Sequence, residues 1–148
     1  MYEEAKMEKL TINLPPVEIA RIDVLVESGL YPSRTEFIRT SIRKTLDSHH
    51  NLIERVIEEK IYSISDDLVS TDEYKNIFGV GVFALGKSDF DKYMKKGQKV
   101  RISVAGLLVI LKGVTAEQIL SIVVSVKVYG IIRASDSVRN ALKKIKKS

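Results

Sequence analysis

Cysteine is absent from the 148 residues, which excludes disulfides, thiolate metal sites and cysteine nucleophiles. Histidine is scarce, with only His49 and His50 present. Neighbours on a helix point about 100° apart, so these two cannot grip one ion together, and neither a metal nor another cofactor is expected. Long apolar runs are missing as well. The longest, Val104 to Leu111, falls far short of the roughly 18 residues of a membrane helix. The opening Met1-Tyr2-Glu3-Glu4 is acidic where a secretory signal is basic and then apolar. These absences point to a cytoplasmic protein. What remains is a globular composition, 45% hydrophobic and 29% charged, with enough apolar material for a core.

Charge is unevenly spread. Residues 1–50 carry 7 Lys/Arg against 8 Asp/Glu, and residues 51–96 carry 7 against 9. Residues 97–148 carry 10 against 2, ending in Lys143-Lys144-Ile145-Lys146-Lys147. A basic end of this kind favours polyanions, or simply solvates and caps a helix.

Glu8-Lys9-Leu10-Thr11-Ile12-Asn13-Leu14 alternates polar and apolar residues, the pattern of a half-buried strand. Leu10, Ile12 and Leu14 share one face; Lys9, Thr11 and Asn13 share the other. Pro15-Pro16 ends the strand and suits a helix start. Ile19, Ile22, Leu25 and Val26 then recur at helical spacing up to Gly29. A second helix is expected from Ser33, with Glu36 completing a capping box and Ile38, Ile42 and Leu46 forming its apolar stripe. One strand and two helices cannot enclose a core in about 45 residues. A dimer with paired strands and interlocked helices can.

This arrangement resembles the ribbon–helix–helix DNA-binding proteins of the MetJ, Arc and CopG type. The likeness covers Lys9 to about Leu46 and rests on Lys9-Leu10-Thr11-Ile12-Asn13-Leu14-Pro15 and on Gly29-Leu30-Tyr31-Pro32-Ser33-Arg34-Thr35-Glu36-Phe37-Ile38-Arg39. It implies a homodimer whose antiparallel ribbon enters the major groove of double-stranded DNA, with Lys9, Thr11 and Asn13 as the base-reading residues. It also implies a phosphate anchor at the backbone N–H groups of Ser33, Arg34 and Thr35. The net charge of residues 1–50 is the weakest fit to such a role.

Ile53, Val56, Ile57, Ile61, Ile64 and Leu68 continue a helical stripe from Asn51 to about Val69. Either a fresh helix starts there, or one long helix runs through Ser48-His49-His50. Further on, Gly81-Val82-Phe83-Ala84-Leu85-Gly86-Lys87-Ser88 fits the GxxxxGK[ST] pattern of a phosphate-binding loop. The four residues between its glycines are apolar and strand-like, whereas a phosphate cradle must bend so that successive N–H groups converge. Lys87 and Ser88 are therefore expected in a turn and a helix cap, and no enzymatic activity is expected.

The same region reads as a repeat: strand, glycine, apolar strand, turn, hydroxyl cap, short helix. Its marker glycines are Gly79, Gly106 and Gly130, and its caps are Ser88, Thr115 and Ser135. That spacing fits a small array of units, or a single sheet with incidental internal similarity. Counting elements gives strand, helix, two strands, helix, strand.

The expected fold class is α+β. Residues 1–50 form a ribbon–helix–helix domain, 51–75 a helical connector, and 76–148 a sheet-rich oligomerisation or sensor domain. The expected function is that of a sequence-specific transcriptional regulator, homodimeric or larger, on the nucleoid. An architectural DNA-associated protein of low specificity is the competing reading.

Overall fold

The computed structural model describes residues 7–62 and 71–146. They divide into two compact units, residues 1–51 and 52–148.

In the first unit, α1 spans Pro16–Glu27 and α2 spans Arg34–Ser48. Pro16 opens α1, where a missing N–H costs nothing. The helix ends in a double closure: Gly29 N–H donates to the Val26 carbonyl (3.0 Å) and Leu30 N–H to the Leu25 carbonyl (3.2 Å). That pattern requires a left-handed residue after the cap, and Gly29, at φ +82°, supplies it. The Ser33 hydroxyl caps α2 by accepting from Glu36 N–H (3.1 Å). Half of the expected capping box is thus present, while the Glu36 carboxylate accepts from Arg39 instead (3.2 Å). Residues 7–15 form neither helix nor strand in the single chain. A strand is defined by its ladder, and the partner expected for residues 8–14 is the same segment of another copy.

A separate helix, α3, spans His50–Tyr62. The chain breaks at His49, which leaves helical geometry at φ −106°, ψ 10°. Of the two readings of this stretch, the fresh helix is the one observed. Ile57 and Ile61 are buried within the second unit; Ile64 and Leu68 of the expected stripe lie outside the described residues.

After a short 3-10 turn, three strands and three helices alternate. They are β1 (Tyr74–Leu85), α4 (Lys87–Lys95), β2 (Lys99–Ile110), α5 (Ala116–Ile122), β3 (Val123–Arg133) and α6 (Asp136–Lys146). The strands form one parallel sheet in the order β1-β2-β3. Ile77, Val100, Ile102, Val104, Leu108 and Val126 on one face pack against Phe90 of α4, Ile119 of α5 and Leu142 of α6. The opposite face carries Phe78, Val80 and Val82 from β1, Arg101, Ser103 and Leu107 from β2, and Lys127, Tyr129 and Ile131 from β3.

Three expectations change here. The two strands read across Val100 to Leu111 are one strand, β2, with Gly106 near its middle. The glycine in register with Gly106 and Gly130 is Gly81, not Gly79. These three glycines form a row across the sheet, each at positive φ (+139°, +140° and +124°). A Cβ on Gly106 would come within 2.0 Å of the Gly81 carbonyl oxygen, and one on Gly130 within 2.2 Å of that of Gly106. The neighbouring backbone comes this close at Gly106 and Gly130 only because no side chain intervenes. The third change is at α4, whose cap is Gly86 rather than Ser88. The caps expected further on are in place. Thr115 and Gln118 exchange both capping-box bonds at α5, and Ser135 Oγ accepts from Val138 N–H (3.4 Å) at α6.

Candidate nucleic-acid interface

Lys9, Thr11 and Asn13 are all exposed. Leu10 and Ile12, which alternate with them, are 79% and 48% exposed. Apolar side chains at such exposure on a short segment call for a covering surface. The same holds for α2, which has no buried residue; its stripe residues Ile42 and Leu46 remain exposed. Within the described part of the first unit, Ile22 is the one buried hydrophobic residue.

The start of α2 is built more firmly. Arg34 reaches back to α1 and donates two hydrogen bonds to the Asp23 carboxylate (Nε to Oδ1, 2.6 Å; the second guanidinium nitrogen to Oδ2, 2.7 Å). This bidentate bond holds the Asp23 carboxyl below the usual carboxylate range and pushes the Arg34 guanidinium up. Tyr31 stands edge-on to Phe37, with ring centroids 5.1 Å apart, beside the same turn. The Arg34 side chain is therefore committed to orienting the helix start. Its backbone N–H and that of Thr35 lie in the first turn, where no carbonyl of the helix can reach them. The Glu36 N–H, next in line, already serves Ser33. Ser33, Arg34 and Thr35 are thus brought together at one helix end, where the dipole favours an anion. Sequence reasoning missed the role of Asp23, because a carboxylate 11 residues before an arginine carries no local signal.

The phosphate-loop pattern falls differently. Val82 to Leu85 lie in β1, paired with β2, and Lys87 is the exposed first residue of α4. The Asp89 carboxylate accepts from Gly86 N–H (2.8 Å), so a carboxylate already occupies the place of an anion at this helix start. Three lysines of the basic third, Lys143, Lys144 and Lys146, stand in the last turn of α6, where cations offset the dipole. Among the described residues there is no cluster of three or more His, Cys, Asp or Glu able to hold a metal ion. No helix among them is long and apolar enough to cross a membrane.

An exposed polar-apolar segment followed by two capped helices, the second opening on free N–H groups, defines a ribbon–helix–helix protein. The chain belongs to the ribbon–helix–helix transcriptional regulator family, whose model matches residues 5–77 and 64–139. The first span includes the segment, α1, α2 and α3 and reaches the start of β1; the second begins at residue 64, includes β1 to β3 and ends in α6. Among curated proteins it is similar to the transcriptional regulator CdrS of Halobacterium salinarum, with 37% identity over 43 residues. That stretch is 78% of the relative but 29% of this chain, so most of this chain lies outside the likeness. No solved structure matches the chain.

Proposed function

We infer that this chain is a sequence-specific DNA-binding regulator acting as a homodimer. Residues 8–14 of two copies pair as an antiparallel ribbon and enter the major groove. Lys9, Thr11 and Asn13 of each copy face the bases: lysine toward guanine, asparagine toward adenine, threonine toward either. The N–H groups of Ser33, Arg34 and Thr35 anchor a phosphate on each side and set the register of the ribbon. Residues 51–75 connect this reading head to residues 76–148, which serve assembly or sensing. Such a protein works in the cytoplasm, on the nucleoid.

One observation carries this reading. The apolar residues Leu10, Ile12, Ile42 and Leu46 are all exposed in the single chain, while the residues alternating with Leu10 and Ile12 are polar and suited to base edges. A second copy buries the first set and leaves the second set facing outward. The test is binding of the full chain to its own promoter fragment and to scrambled DNA at two salt concentrations. A specificity ratio of about 1000 or more is expected, with both affinities falling as salt rises and the preference for the promoter fragment retained. A ratio near one favours the architectural reading, which the 10 Lys/Arg against 2 Asp/Glu of residues 97–148 support.

A further inference from the structure

Charge in the second unit gathers at one end. A helix that joins two parallel strands runs back against them, and α6 runs back along β3, so α4, α5 and α6 all finish at the edge where the strands begin. Two bonds mark that edge. Lys99 Nζ, at the start of β2, donates to the Ser121 carbonyl in the last turn of α5 (2.8 Å). Gln98 Nε2 donates to the Asp72 carbonyl in the 3-10 turn before β1 (3.1 Å). Lys92, Lys95 and Lys96 close α4, and Lys143, Lys144 and Lys146 close α6. All six are exposed. Buried Phe90 holds the other side of α4 to the sheet, as Val138, Ala141 and Leu142 hold that of α6.

Helix dipoles do not account for so many cations. A helix end presents about half a negative charge, roughly 1.5 for the three helices. From the midpoint of each helix onward, Asp91 is the one acidic residue. Asp72 and Glu73, before β1, are matched by Lys75 and Lys99 at the starts of β1 and β2. About three positive charges remain over. At the opposite end Lys87, Lys112 and Arg133 meet Asp89, Glu117 and Asp136, and nothing is left over. The glutamates of α3 belong to the other face of the sheet, where the Ser103 hydroxyl donates to the Ile57 carbonyl (2.7 Å).

We propose that the lysine end of the second unit holds the sugar–phosphate backbone of double-stranded DNA without reading its sequence. The α4 and α6 helices each pack beside α5, and two interhelical steps of about 8–10 Å set the two lysine groups roughly 16–20 Å apart. One carboxylate or one phosphate can meet only one group. A duplex carries a charge about every 1.7 Å of its axis, roughly ten over that span, so it meets both groups at once. The choice of DNA among polyanions rests on the proposed reading of residues 8–14, which gives this protein a duplex to hold.

The test titrates promoter and scrambled fragments with the full chain over a range of salt. Each lysine that meets a phosphate adds about 0.9 to the slope of log affinity against log salt. Lys92→Gln, Lys95→Gln and Lys96→Gln together should lower the slope by about 2–3 per chain on both fragments, and Lys143→Gln with Lys146→Gln by about 2. The preference between fragments should stay. Arginine at the same positions should keep the wild-type slope. Lys87→Gln with Lys112→Gln, the same kind of change at the balanced end, should move it by less than about 0.5. A slope that either lysine-group variant leaves unmoved, or that the balanced-end variant moves as much, overturns the surface. So does unchanged DNA binding in a variant that has lost adhesion to phosphatidylglycerol vesicles, which assigns the lysines to a membrane. The reading head is judged separately. A wild-type preference near one, with the slopes shifted as stated, removes the ribbon reading and leaves this surface standing; a strong preference with unmoved slopes does the reverse.

Discussion

The two units of this chain solve the problem of a core in opposite ways. Among the described residues, the first unit buries one hydrophobic side chain, Ile22, and the second buries nineteen. The first unit nevertheless has good capping, a bidentate ion pair and a well-closed helix end. Local devices of this kind shape elements without supplying the burial that makes a fold stable. The second unit stacks three βα repeats, and each strand and helix pair completes the core of its neighbour. On the proposed reading, a DNA-reading head gains from the first solution, since its fold is completed by the symmetric dimer that matches a two-fold site.

The sharpest way to break this comparison is to place charge on the uncovered apolar set. The Ile12→Glu, Ile42→Glu variant should lose the dimer and all measurable operator binding, because a unit with one buried hydrophobe has no stable monomer to fall back on. Its circular dichroism should retain the signal of the second unit. Sedimentation and a band-shift assay check both points, and a dimer that still binds DNA would refute the contrast.

Next in size are changes in the second unit. Phe90 is fully buried, and Phe90→Ala should cost about 3–5 kcal/mol of that unit's stability in a urea titration. Gly106→Ala should cost roughly 2–4 kcal/mol, through its positive φ and the 2.0 Å clash with the Gly81 carbonyl. Gly97→Ala, with nothing within 4 Å of its added Cβ, faces only its backbone strain and should cost less. Equal losses at the two glycines would remove the stacking argument.

Thr11→Ala and Asn13→Ala should each lose about 1–3 kcal/mol of discrimination between operator and random DNA while non-specific affinity barely moves. Fluorescence anisotropy with both DNAs reads the difference. Unchanged preference in both variants would place the reading element elsewhere.

A smaller effect attaches to acid. The carboxyl of Asp23 is held below its ordinary value by the Arg34 hydrogen bond, so its contribution is fully present above the unfolded value near 3.9. It is lost as pH falls through the lower folded value. Wild-type protein should therefore loosen at the α1–α2 turn below about pH 4, and Asp23→Asn should look loosened already at neutral pH. Amide exchange at Gly29 and Leu30 is the probe. Because the pair is exposed, the effect should be slight.

Last comes a change expected to do nothing. Lys87→Ala should leave folding and DNA binding intact, and isothermal titration with magnesium and ATP should be flat for both proteins. Magnesium-dependent ATP binding that disappears in the variant would restore the phosphate-loop reading.

Much of the molecule could be read locally. Pro15-Pro16, the Gly29 turn, and the Ser33, Thr115 and Ser135 caps each act within a few residues. Helix bounds, and the family likeness built on them, follow from such short-range rules. The strand–glycine–helix repeat was legible for the same reason, since each unit repeats its own local grammar. The sequence marks Gly79 where the registered glycine is Gly81, because a marker glycine shows up locally whereas register between parallel strands does not.

What only the tertiary structure decided involves residues far apart in the chain. The parallel order of the strands, the glycine row at 81, 106 and 130, and the burial of Ser103 against Ile57 are contacts between distant segments. So is the Asp23–Arg34 pair, in which the Arg34 side chain braces the start of α2 against α1. The division has a physical origin. Backbone geometry and capping are settled within about one turn of chain, whereas packing partners are chosen by which surfaces can exclude water together, and no stretch of sequence carries that choice alone.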